Sequence, residues 1–179
     1  SDDESGQSGD FIDTLTMMNV SVDSEQDMEL LAIFVDEANE LLEMSDNTLH
    51  QWSRQQLDDP AAQDYSAVME LQRYLHTLKG GARMAELKEI SDLSHEMESL
   101  FIAVIDGRVE KSDNLLEMLK DSFDLLHLQI NQAQQGEGLS APVEMVEALK
   151  QLRRGEGGQN RAESLDELAD FDLDSEDID

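Results

Sequence analysis

Apolar residues in the middle of this chain return at steps of three and four, segment after segment, and no other feature restricts the fold so tightly. Leu30, Phe34, Ala38, Leu41, Leu49 and Trp52 form one such stripe, and Val68, Leu71, Leu75, Leu78, Ala82 and Ala85 form the next. Ile90, Leu93, Met97, Leu100 and Val104 continue the pattern, followed by Leu115, Leu119, Phe123, Leu126 and Ile130. A shorter set, Val146, Leu149 and Leu152, closes it. Side chains three and four apart share one face of an α-helix, so each stripe predicts an amphipathic helix with one buried side. No strand-like alternation of useful length competes. Ser24, with Asp27 three residues on, resembles a capping box and predicts the first helix start, and "DDPAAQD" its end. The second helix is expected near Asp64. "DG" at 106–107 stops the third, Ser112 caps the fourth and Gly136 ends it, and Pro142 opens the fifth. Short connections make neighbours antiparallel. The expected fold is all-α: an antiparallel up-down-up-down four-helix bundle with a short fifth helix, over residues 24–153.

The ends read differently. Residues 1–27 carry eight acids and no base, and residues 155–179 carry ten acids against Arg161. Of the net charge of -30, that leaves -13 for residues 28–154. Such Ser-, Gly- and Asp-rich stretches bury too little apolar surface to fold alone. Residues 1–23 and 154–179 are therefore expected to be disordered acidic linkers, with "FIDTLTMMNV" and "LDELADFDLD" as short elements at most. The acids from Asp172 to Asp177 lack the turn glycine and closing glutamate of a calcium loop. Acidity on this scale argues against nonspecific binding to nucleic acid or anionic membrane. Without cysteine there is no disulfide or thiolate site, and no run of 18 apolar residues or signal-like leader is present. The linker-like beginning at Ser1 predicts a segment of a longer protein, in a cytoplasmic setting.

Against this background "YLHTLKGGARM" (74–84) is odd. Gln72, Arg73, Lys79, Gly80 and Arg83 share a helix face with His76, opposite the Leu71–Ala85 stripe, so His76 should point outward. Residues 71–88 hold Arg73, Lys79, Arg83 and Lys88 against Glu86, a local excess of positive charge. Gly80 and Gly81 each cost a helix about 1 kcal/mol relative to Ala, and such a cost implies a packing or access reason. A missing side chain at Gly80 flattens the surface beside the imidazole, and Gly81 lies where a neighbouring helix can come close. An exposed imidazole beside a cation suits a nucleophile reached by another macromolecule, with Lys79 placed to meet phosphoryl oxygens. Metal ligands would need more His or carboxylates on this face, and no nucleophile–base–oxyanion set is evident. No metal is expected.

"HTLKGGARM" resembles the H-x-x-K-G-G motif of histidine phosphotransfer (HPt) domains, in particular that of chemotaxis-type histidine kinases. The likeness runs from about residue 25 to 153 and includes "IFVDEANELLEMSDNTLHQW" and "LSHEMESLF", with His95 and Glu98 following His76 by 19 and 22 residues. "LHTLKGGARMAEL" is also similar to modules of multi-HPt hybrid kinases that govern type IV pili. The resemblance implies that His76 accepts a phosphoryl group on Nε2, that Lys79 steadies its oxygens, and that Glu98 orients the ring through Nδ1. It gives His95 a supporting part, and Arg73, Gly80, Gly81 and Arg83 a part in partner docking. At Glu86 the sequence departs from relatives that carry glycine in "AGL".

The function expected is a phosphorelay step in two-component signalling, from a kinase ATP-binding domain in cis or trans, or a phospho-receiver, to a receiver aspartate. ATP and Mg2+ would belong to partner domains, since no phosphate loop is present, and the isolated domain is expected to be monomeric. The alternative is a non-catalytic adaptor that docks response regulators. His50 and His127 match no motif.

Overall fold

The computed structural model describes residues 5–55 and 65–155, with side chains from residue 24 onward. Five helices and no strand occur among the described residues: α1 Ser5–Arg54, α2 Ser66–Met84, α3 Lys88–Ile105, α4 Asp113–Gln135 and α5 Val143–Arg153. Contacts run α1 to α2, α2 to α3, α3 to α4 and α4 back to α1, so the first four helices close on themselves, and α5 packs on α3. In the α1–α4 pair, Asp46 meets His127 while Trp52, further along α1, meets the earlier Lys111. The two helices are therefore antiparallel.

The stripes become the core. Phe34, Ala38, Leu41, Leu49 and Trp52 of α1 are buried, as are Val68, Leu71, Leu75, Leu78 and Ala82 of α2. All five stripe residues of α3 and all five of α4 are buried too. Between Leu41 and Leu49 the core face of α1 carries Ser45 and Thr48, and the Ser45 hydroxyl is satisfied by donating to Leu41 O at 2.7 Å. Leu30 departs from expectation: it is 51% exposed. It lies where α2 finishes, beside Met84 and Ala85, and so has no helix above it to bury it.

The helix ends follow their sequence signals in part. Ser112 caps α4 by accepting from Leu115 N at 3.1 Å, and Gly136 ends it with φ 72°. Ser24 does not start α1. The helix is continuous from Ser5, so Ser24 lies within it, and the segment assigned to an N-terminal linker is helical from that point. In the sequence, Phe11, Leu15 and Met18 keep steps of four and three, a helical period that the acidic composition masks. The remaining linker residues 1–4 and 156–179, "LDELADFDLD" included, lie outside the described residues, as do "DDPAAQD" and Asp64.

Two devices hold the bundle where the chain turns. Lys111, in the α3–α4 connection, donates to the carbonyls of Trp52 (2.5 Å) and Gln55 (2.7 Å) and lies over the Trp52 ring at 5.3 Å. It thus satisfies carbonyls that the end of α1 leaves without intrahelical partners. Burial pushes its pKa down from the ordinary lysine value. At the other turn, α2 closes in a Schellman arrangement, with Leu87 N donating to Ala82 O at 2.8 Å and Glu86 N to Arg83 O at 3.1 Å. The left-handed residue of this motif is Glu86, φ 60°, whereas Gly107, Gly136 and Gly155 hold the positive-φ positions after α3, α4 and α5.

Candidate functional site

The α2–α3 pair carries the site. Leu71, Leu75, Leu78 and Ala82 turn one face of α2 inward, which leaves positions 72, 76 and 79 along its flank toward α3. The His76 side chain is 66% exposed. Glu98 comes from α3 with its side chain only 7% exposed, and its Oε2 lies 2.7 Å from His76 Nδ1. Lys79 Nζ donates to Glu98 Oε1 at 2.5 Å, and Gln72 Nε2 donates to Oε2 at 3.0 Å. Three residues of one helix, at i, i+4 and i+7, converge on one carboxylate of the next.

That carboxylate is ionised. Burial alone pushes Glu98 up, but hydrogen bonds from Lys79 and His76, the Lys79 charge and the Gln72 amide outweigh it and hold the pKa below the ordinary 4.5. An ionised carboxylate only accepts hydrogen bonds, so Nδ1 of His76 must donate. In the neutral imidazole this leaves the Nε2 lone pair outward, free to attack an electrophile.

The other sequence candidates sort themselves around this centre. Lys79, expected at phosphoryl oxygens, is mostly buried and has its first partner in Glu98. A Cβ at Gly80 would meet no atom within 4 Å, so Gly80 opens onto the surface. At Gly81 it would stand 3.1 Å from Phe34 Cδ2 and 3.3 Å from Cε2, so this glycine serves the approach of α1 to α2. Arg73 and Arg83 are exposed. His95 is exposed and shares a groove with Arg83, Glu86, Lys88 and Asp92, and its ring makes no hydrogen bond to another described residue. The basic strip is thus weaker than the 71–88 window implies. Lys79 is neutralised by Glu98, and the α2–α3 turn brings Asp92 beside Arg83 and Lys88, which no linear count of α2 includes.

Periodicity sets Gln72 on the histidine face and gives it no role; the i, i+4, i+7 spacing of three donors opposite one acid is the signal that marks it. His50 and His127 lie elsewhere, in a groove of about 550 Å³ between α1 and α4, where His127 Nε2 is 2.8 Å from Asp46 Oδ2. Among the described residues no group of three or more His, Asp or Glu side chains could hold a metal ion, and no helix is long and apolar enough to cross a membrane.

A helical bundle with one outward imidazole, oriented from beneath by a buried acid, defines the class. The chain belongs to the Hpt domain family, whose model matches residues 29–136, more than half of its length. Its relatives include the chemotaxis protein CheA of Borreliella burgdorferi, 33% identical over 98 residues, a match covering 55% of this chain and 11% of that protein. CheA of Treponema pallidum is 32% identical over 98 residues with the same coverage. CheA of Listeria monocytogenes is 27% identical over 107 residues, covering 60% of this chain and 16% of that protein. The chain therefore spans only a small part of the length of these relatives. Among solved structures, the phosphorylated P1 domain of CheA3 from R. sphaeroides, in complex with CheY6, superposes with a TM-score of 0.59 at 23% identity. That match covers 70% of this chain and 95% of the other, and it shows the shared fold.

Proposed function

We propose that this chain is a phosphocarrier that accepts a phosphoryl group on His76 Nε2 and passes it to the aspartate of a receiver domain. The observation that carries this reading is the 2.7 Å contact between Nδ1 of the exposed His76 and the buried, ionised Glu98. In the forward step the Nε2 lone pair attacks phosphorus, an N–P bond forms, and the donor's P–O bond breaks with its electrons leaving on the donor oxygen. The ring becomes cationic as it bonds to phosphorus, and Glu98 stabilises that charge through Nδ1–H. Transfer onward reverses the polarity: a receiver carboxylate attacks phosphorus and the N–P pair returns to Nε2.

Lys79 has three N–H groups and uses one on Glu98, so its remaining donors are available to a phosphoryl oxygen. Gly80 leaves the surface next to His76 low enough for a partner to approach. Phosphorylated CheA3 P1 with CheY6 is the precedent for a receiver as partner. In this reading the donor is a kinase ATP-binding domain or a phospho-receiver that brings its own ATP and Mg2+. The domain acts as a monomer in the cytoplasm, within chemotaxis-type signalling.

Incubation with a phosphodonor and a catalytic domain of a CheA relative should place acid-labile, base-stable label on the wild type and none on His76→Gln. Equal labelling of both would overturn the assignment. Tight receiver binding without transfer from any donor would establish the adaptor reading instead.

A further inference from the structure

We infer that Gln72 is a positioning residue for His76, acting through Glu98; this rests on the phosphocarrier reading above. Gln72 stands one turn before His76 on α2, half-buried, and its amide donates to Glu98 Oε2 at 3.0 Å, the same oxygen that receives His76 Nδ1–H at 2.7 Å. Which end of the amide faces the carboxylate is settled by chemistry. Glu98 is an acceptor, so the NH2 group must face it.

The carboxylate torsion of a glutamate is broad and has no sharp staggered minimum. Held by Lys79 at Oε1 alone, the Glu98 carboxylate can rotate about that contact and carry Oε2 away from the imidazole. A second donor on Oε2 fixes the plane. With both oxygens held by donors from α2, the lone pair that meets Nδ1 stays in place whether or not His76 is correctly turned. The imidazole then finds a preset acceptor, which selects the Nδ1–H form and leaves Nε2 nucleophilic. A carboxylate has acceptor capacity for all three donors, so Gln72 and His76 do not exclude one another.

A purely structural role for Gln72, as one interhelical hydrogen bond among others, makes a different prediction, and a double-mutant cycle separates the two. The full chain, labelled with 15N-histidine, is compared as wild type, Gln72→Met, Glu98→Gln and the double variant. Gln72→Asn serves as a second probe that keeps the amide but shortens its reach. Read without any phosphodonor, the His76 ring of Gln72→Met and Gln72→Asn should shift from the Nδ1–H toward the Nε2–H form. The rate of label uptake should fall about fivefold, within the range of coupling through a shared hydrogen-bond network. In the Glu98→Gln background, replacing Gln72 should change neither quantity further.

An unchanged tautomer in both Gln72 variants, or a rate loss that is equal in the two Glu98 backgrounds, overturns the inference. Because the tautomer is read without a donor, it decides the matter even if the wild type takes no label, an outcome that would instead defeat the phosphocarrier reading.

Discussion

Gly81 and Phe34 are in contact across the α1–α2 interface: a methyl group on Gly81 would stand 3.1 Å from Cδ2 of that ring, while Gly80 next to it faces open space. Two adjacent glycines of one motif therefore answer to different constraints. Gly81→Ala gains helix propensity but presses a buried ring, and overpacking of this kind costs about 1–3 kcal/mol. Gly80→Ala gains about 1 kcal/mol of helix propensity with nothing to displace. Urea unfolding should rank Gly80→Ala above Gly81→Ala by at least ~1 kcal/mol. Partner binding should show the reverse weight, with Gly80→Ala the more harmful of the two. Equal stabilities would mean that Phe34 moves aside without cost.

Acid should find Glu98. Its folded pKa is lowered, so the stability it contributes is present above its unfolded pKa near 4.5 and is lost as pH falls through the folded value. Denaturant midpoints for wild type and Glu98→Gln, taken from pH 7 down to pH 3, should therefore differ most at neutral pH and converge in acid. Glu98→Gln leaves the mostly buried Lys79 ammonium without its counter-ion, a loss of about 2–4 kcal/mol at pH 7. A constant gap across that range would show that the ionised carboxylate is not what stabilises the α2–α3 pair.

Glu86 is a side chain in a glycine's place. At φ 60° it bears a left-handed penalty of about 1–2 kcal/mol, partly offset by the entropy that glycine would lose on folding. Glu86→Gly should raise stability by about 0.5–1 kcal/mol in thermal or urea unfolding. His76 labelling should remain intact, because the substitution touches neither Glu98 nor its donors. A destabilised variant would imply that the Glu86 carboxylate makes a favourable interaction with the Arg83 and Lys88 charges nearby.

Helix periodicity carried most of the architecture, since a residue's burial follows from its place on a stripe whenever a neighbouring helix covers it. Leu71, Leu75 and Leu78 illustrate the rule, and Leu30 its limit: the stripe continues on α1 after α2 has stopped. The same limit applies to charge. In residues 71–88 only Glu86 opposes Arg83, Lys88 and the other bases, but the turn at Glu86 folds Asp92 back beside Arg83 and Lys88. At the site, the pairing of His76 with Glu98 is what the resemblance to HPt domains implies, since the residues alone leave Glu98 equally at home as a solvated acid. That Lys79 is bound to the same carboxylate, and that Gln72 completes the set, depends on the rotation of α3 against α2, which periodicity constrains only to within a residue or so. Backbone strain at a single residue leaves even less trace. Only the contrast with glycine-bearing relatives marked Glu86 as unusual, and the reason was a dihedral angle.

Lys111 has a consequence of another kind. It seals the finish of α1 from a loop 56 residues further along the chain, so the last turn of that helix, besides the bond from Gln55 N to Trp52 O at 3.2 Å, draws hydrogen bonds from across the bundle. The end of α1 is thereby tied to the α3–α4 connection as well as to its own neighbour in the chain. Where many helices depend only on their own next residues to stop cleanly, this one also has a lateral bolt. A change at Lys111 is therefore felt at the end of α1, the helix that packs against the α2 carrying His76.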